Sequence, residues 1–215
     1  MGKIVLATII ISGSAKWLLK VGGNKEKWYG SDRIFMYGMT VFGAMAVNYS
    51  EQCTEYGWVV SNLRLLAGCL LAGGLLSAAY MDRRNCWVYN YVWWWCLPWA
   101  GILGLTAGGE FSGIVAVLVF VMLQQLLFSR MYGKADCHAF SVCALAECGN
   151  AVGMVGFLLQ MFLSVVLLTI VQLFRGNVTP RGRLREPQPF IPYIITAFFS
   201  VTFLESVFRT TYIYA

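Results

Sequence analysis

The stretch Leu65-Leu-Ala-Gly-Cys-Leu-Leu-Ala-Gly-Gly-Leu-Leu-Ser-Ala-Ala-Tyr-Met-Asp-Arg-Arg84 decides how the rest of the chain is read. The run it belongs to extends over about 60–81 and stops abruptly at Asp82, Arg83 and Arg84. A helix of that length matches the hydrocarbon thickness of a bilayer, which takes about 20 apolar residues to cross. Small residues recur at a spacing of four, Gly68 with Ala72 and Gly74 with Ala78, a pattern that lets helices approach closely in lipid. The reading is a membrane helix that packs tightly on its neighbours and ends in a carboxylate.

Similar runs lie on both sides. They cover about 4–20, 34–49, 91–108, 111–130, a shorter piece from near Asp136 to near Asn150, 152–174 and 190–208. Lipid leaves an open chain only the α-helix, so each is expected to be helical. The expected fold is all-α, a polytopic transmembrane bundle of about eight helices. Composition agrees: 59% of residues are hydrophobic and 12% charged, with a mean hydropathy of +0.65. A soluble domain carries about 25% charged residues to face water. Lys3 ahead of the first run resembles a signal peptide, but Lys16 and Lys20 at its far end predict a retained helix.

The net charge of +6 sits in short loops, not on a basic helix face or an aromatic-interleaved platform, which argues against nucleic acid. Lys and Arg concentrate in 20–33, 82–90, 130–136 and 175–188, among them Lys25, Lys27, Arg33, Arg130, Lys134, Arg175, Arg181, Arg183 and Arg185. The alternate loops 50–57, 108–110 and 147–150 carry acids such as Glu51 and Glu55, or no charge. The positive-inside rule then predicts the basic loops in the cytoplasm and both termini outside. Trp93, Trp94 and Trp95 are expected in the interfacial aromatic belt, and Gln124, Gln125, Gln160 and Glu205 against other helices. Cys53, Cys69, Cys86, Cys96, Cys137, Cys143 and Cys148 form no CxxC pair and have one His for company, so no metal site is expected and they read as small apolar fillers.

This topology puts Asp82 and Asp136 on one membrane face, at the ends of different helices. Two carboxylates held together share a proton, because both cannot ionise easily. The ionised member can take a proton from water as it attacks a peptide carbonyl, and the protonated one can polarise the carbonyl and protonate the leaving amine. The plainer alternatives are an interfacial anchor for Asp82, beside Arg83, and a helix N-cap for Asp136.

Three segments together resemble the type IV prepilin peptidase family of intramembrane aspartyl peptidases. Asp82-Arg-Arg-Asn-Cys-Trp-Val-Tyr-Asn90 looks like the family's Asp at a helix end followed eight positions later by Asn or Asp, with Tyr89 where a Pro is usual. Gly133-Lys-Ala-Asp136 is similar to its Gly-x-Gly-Asp signature, with Ala135 at the third position and His138 where many members have Lys. Pro189-Phe-Ile-Pro-Tyr193 resembles the Pro-Phe-x-Pro segment that opens the last helix. The resemblance implies that Asp82 and Asp136 are catalytic, with Gly133, Ala135, Asn90 and His138 around them, and that no cofactor or metal is needed. It implies cleavage of a basic leader from pilin-like precursors at the cytoplasmic face of the cell membrane. It also divides the chain into two amino-terminal helices of unassigned role, residues 1–58, and a six-helix peptidase-like core, 59–215. Residues 1–58 lack the paired CxxC motifs of larger members that also methylate, so the chain looks like the small peptidase-only form. Presenilin-type peptidases share the Gly-x-Gly-Asp signature but carry Pro-Ala-Leu before a late helix, which is Pro-Gln-Pro-Phe-Ile-Pro here. The alternative of another class is a catalytically inactive scaffold or assembly partner on the same frame. The sequence assigns no oligomeric state.

Overall fold

A 28-residue helix, Trp58–Asn85 (α3), forms the centre of the protein. Every residue of it from Leu71 to Asp82 is buried, which suits a helix that is apolar all round. The computed structural model describes residues 2–23, 31–52, 57–106, 111–130, 133–148, 153–175 and 188–214. Around α3 stand α1 (Gly2–Val21), α2 (Ser31–Gln52), α4 (Asn90–Thr106), α5 (Phe111–Leu126), α6 (Lys134–Glu147), α7 (Gly153–Phe174) and α8 (Ile191–Tyr214). A short 3-10 turn, Phe128–Arg130, follows α5. Among the described residues there is no strand, so the all-α helical bundle is the observed fold.

Side-chain size explains the centre. α3 packs on α1, α2, α4 and α8, and its glycines lie where these neighbours come closest. A Cβ on Gly68 would sit 2.7 Å from a Val47 methyl of α2, and one on Gly74 would sit 2.5 Å from the Cys96 Sγ of α4. A Cβ on Gly73 would meet the Ser14 side chain and lie 2.9 Å from the Ile11 carbonyl oxygen, both of α1. Three faces of one helix thus take three partners. α6 occupies a second, lesser centre, in contact with α4, α5, α7 and α8.

Among the described residues four helices are long and apolar enough to cross a membrane: Gly2–Val21, Trp58–Asn85, Val155–Phe174 and Ile191–Phe208. α5 is apolar but shorter, over Gly113–Leu126. The outer surface carries large exposed apolar side chains such as Ile34, Trp58, Phe162 and Phe174. A bundle faced with these groups belongs in lipid, so the protein is a membrane protein.

The first two helices are integral to the packing. α1 buries Ala7, Ile11, Ala15, Leu18 and Leu19, largely against α3. The Tyr91 hydroxyl of α4 donates to the Leu18 carbonyl at 2.8 Å, and Trp17 lies against Trp95 with ring centroids 5.2 Å apart. α2 packs on α8, α3 and α1.

The expected tryptophan belt is corrected by this packing. Trp94 alone of the three is strongly exposed; Trp93 is buried against His138, and Trp95 donates its indole N–H to the Leu70 carbonyl at 3.2 Å. Successive helical residues point about 100° apart, so three adjacent rings cannot share one lipid-facing stripe. Lys25, Lys27, Cys53, Glu55, Arg181, Arg183 and Arg185 lie outside the described residues, as do the side chains of Glu51 and Arg130.

Candidate active site

Asp82 stands in the last turn of α3, where the helix ends in a left-handed cap. Cys86 adopts φ 50° and its N–H donates to the Asp82 carbonyl at 2.8 Å. The Asp82 side chain is only 6% exposed. Its Oδ2 accepts a hydrogen bond of 3.0 Å from the Ile191 backbone N–H, the first residue of α8. The Phe190 N–H reaches the same carboxyl. A helix N-terminus offers unsatisfied N–H groups and a positive dipole end, so it is a natural seat for a carboxylate.

The Pro189-Phe190-Ile191-Pro192 segment builds that seat. Pro192 falls in the first turn, where its missing N–H costs no helical bond. The Phe190 carbonyl accepts from Tyr193 at 3.0 Å and Ile194 at 3.3 Å, which closes the first turn and leaves Ile191 N–H pointing at Asp82. The Phe190 ring packs edge-on against Phe140 of α6, centroids 5.8 Å apart. One short segment therefore touches α3 through its backbone and α6 through its side chain.

Asp136 lies one turn before Phe140, in the first turn of α6, and is half-buried. Its Oδ2 accepts the Gly133 N–H at 3.2 Å; Gly133 is the N-cap and Asp136, three residues into the helix, reaches back to it, so the expectation that Asp136 is itself the N-cap is corrected. Gly133 itself has ordinary extended dihedrals, φ −63° and ψ 150°. What glycine provides there is space, since a Cβ would stand 3.1 Å from the Asp136 Oδ2. The charge of Asp136 acts on Asp82, and the Phe190–Ile191 segment touches both helices, through Ile191 N–H on Asp82 and the Phe190 ring on Phe140.

The neighbouring cations turn away from Asp82. Arg83 Nε is 2.8 Å from Asp32 Oδ1 and Arg84 Nε is 3.1 Å from Asp32 Oδ2, so both meet one acid at the start of α2. Arg83 also lies over the Phe35 ring, and Arg84 over Tyr80. Asp82 is thus no surface anchor paired with its own neighbour. It is a buried acid held by backbone N–H groups.

The other sequence candidates fall into two groups. Ala135 packs at the edge of the core near Asp136. Asn90 opens α4 and is exposed, while His138 is half-buried on α6 with its Nδ1 3.3 Å from Gln125 Nε2. Those two line a groove between α4, α5 and α6. Tyr89 lies between Trp87 and Tyr91 in the α3–α4 connection, with ring centroids at 5.1 and 5.8 Å.

Two features escaped the sequence reading. Asp32 is one, since nothing in its local pattern tells that it will receive Arg83 and Arg84. The other is Glu147, 3% exposed at the far end of α6, with Oε1 lacking a partner among the described residues. It lines a small cavity with Arg64, Ser50 and Thr202, and the charge of Glu205 acts on it. Eleven residues of helix put Glu147 about 16 Å along the axis from Asp136, so it belongs to the opposite end of the bundle. Gln124 and Gln160 are fully buried among helices. Of the seven cysteines, Cys69, Cys96, Cys137, Cys143 and Cys148 are buried and Cys86 is exposed. Among the described residues no three His, Cys, Asp or Glu side chains group as a metal site would require.

Comparison with protein-family models, with curated proteins and with solved structures returned no match.

Proposed function

We propose that the protein is an intramembrane aspartyl endopeptidase that removes the basic leader from pilin-like precursors at the cytoplasmic face of the cell membrane. The observation that carries the reading is the burial of Asp82 at the N-terminus of α8, within electrostatic reach of Asp136. Two acids held out of bulk water within reach of one another are what a proton-sharing pair needs. The motif segments add support, because two of them seat the acids although they are scattered along the chain. Pro189–Pro192 seats Asp82 and Gly133 seats Asp136.

In this mechanism the pair titrates as a unit and holds one proton. The carboxylate member takes a proton from water as its oxygen attacks the scissile carbonyl. The carboxyl member donates a hydrogen bond to that carbonyl, then protonates the departing amine. The positive-inside rule favours the cytoplasm for the Asp82 end of α3 and the Asp136 end of α6, where a leader joins the apolar helix of a precursor. α3, at about 42 Å, exceeds the ~30 Å hydrocarbon core, which lets its Asp82 end reach water. Arg83 and Arg84, already engaged by Asp32, serve orientation and not substrate binding.

The test is co-expression in bacterial membranes with candidate precursors from the same genome, followed by their size on a gel. Wild type is expected to shorten a precursor, while Asp82→Asn and Asp136→Asn at equal membrane levels leave it intact. Intact precursors with well-expressed wild type would favour the scaffold alternative.

A further inference from the structure

At the end of the bundle opposite Asp82 and Asp136, Arg64 of α3 and Glu147 of α6 are both 3% exposed and line one cavity of about 40 Å³. Leu103 and Phe199 are among the apolar groups that wall it, and Ser50 and Thr202 add hydroxyls. Glu147 Oε1 meets no donor among the described residues, Arg64 included. Arg64 is fixed at the wall, where its Nη1 donates to the Leu103 carbonyl at 2.9 Å and to Thr106 Oγ1 at 3.0 Å. The Thr202 hydroxyl gives its proton to the Phe198 carbonyl at 2.9 Å, so it has only lone pairs left for a further partner.

One side of this lining calls for hydrogen and the other supplies it. A buried carboxylate left without donor or counter-charge is strongly destabilising, and the charge of Glu205 on α8 adds to that cost. A bare cation would suit Glu147 and Thr202 but would share one small apolar-walled cavity with the Arg64 guanidinium, where like charges are poorly screened. An anion would meet the same obstacle at Glu147. A water molecule needs about 10–15 Å³ of such space and roughly two to four polar partners, so the cavity has room for a few. Water donates to Glu147 and Thr202 and accepts from Arg64. It satisfies both members of the pair across a gap that Oε1 does not close directly.

We propose that this cavity is a hydrated ion-pair site, in which bound water joins the Arg64 guanidinium to the Glu147 carboxylate and ties α3 to α6. α4 and α8 each pack on both of these helices, and the bridge links the two themselves at the end away from Asp82 and Asp136. The proposal stands apart from the peptidase reading. Thermal midpoints of the full-length protein in detergent test it, for Arg64→Leu, Glu147→Leu, the double variant, Glu147→Gln and Thr202→Ile. Breaking a buried pair at one member is costly, whereas removing both members is not. Each single leucine variant is therefore expected to fall by roughly 5 °C or more, and the double variant by less than the sum of the two. Glu147→Gln, which keeps the size and loses the charge, is expected to fall as well. Thr202→Ile fills the cavity and is expected to lower the midpoint by displacing water, whereas a dry void would gain from the filling. Losses that add in the double variant, or a Glu147→Gln protein as stable as wild type, overturn the pair. A midpoint raised or unchanged by Thr202→Ile, or a wild-type midpoint that climbs in sodium but not in choline chloride, overturns water as the occupant. Where a leucine variant does not fold, Glu147→Gln and Thr202→Ile decide by themselves.

Discussion

Replacing Ile191 by Pro isolates the contact that holds Asp82. Proline at the first position of a helix keeps a helical φ and gives up only an N–H that no helical bond uses. In this protein that N–H is the one at 3.0 Å from Asp82 Oδ2. A hydrogen bond to a charged group contributes about 1.5–3 kcal/mol. If that energy holds the carboxyl in its reactive orientation, its loss slows cleavage roughly 10- to 150-fold at about 1.36 kcal/mol per decade. Ile191 is also fully buried, so its side chain must be controlled for. Ile191→Val removes one methylene, costs about 0.5–1.5 kcal/mol of stability and keeps the N–H. The assay is the initial rate of precursor cleavage in membranes, normalised to protein level. The reasoning predicts Ile191→Val close to wild type and Ile191→Pro at least tenfold slower. Equal rates for the two variants would show that the backbone donor has no part in the chemistry.

Other contacts give independent tests. Gly73→Ala forces a methyl against Ser14 and the Ile11 carbonyl, and should lower stability in detergent by about 1–3 kcal/mol; Gly13→Ala, with nothing within 4 Å of its Cβ, should stay near wild type in the same thermal-unfolding assay. Arg64 is buried and donates to the Leu103 carbonyl at 2.9 Å and Thr106 Oγ1 at 3.0 Å, so Arg64→Leu should cost about 2–4 kcal/mol by the same measurement. Asp32→Asn should change stability by less than about 1 kcal/mol, because its arginine partners are partly exposed, and should leave cleavage intact. A large loss of cleavage there would assign Arg83 and Arg84 to the site.

The helices were legible because lipid simplifies the code. Runs such as 60–81 must be helical whatever their neighbours, and α3, α7 and α8 begin within two residues of the positions read from the sequence. The close contacts at Gly68 and Gly74 were legible for the same reason, since small residues in a long apolar helix have one main use. The direction of each side chain was not. Trp93, Trp94 and Trp95 form one motif in the chain and three environments in the bundle, because only tertiary packing says which helix stands at each azimuth. The same limit hid the seat of Asp82, whose donor is 109 residues away. Motif resemblance placed Asp82, Asp136 and Pro189–Pro192 in one list without saying that the last holds the first. Glu147 gave no signal, as one acid at the end of an Ala-rich helix looks like a solvated terminus.

The central claim is that Asp82 and Asp136 work as one catalytic pair, and purified protein in liposomes tests it without host peptidases. The measurement is the appearance of the precursor's new amino terminus, read by mass spectrometry. The account predicts that wild type generates it without added metal, and that Asp82→Asn, Asp136→Asn and the double variant all fail to the same extent. Cleavage that survives either single substitution in folded protein would contradict it.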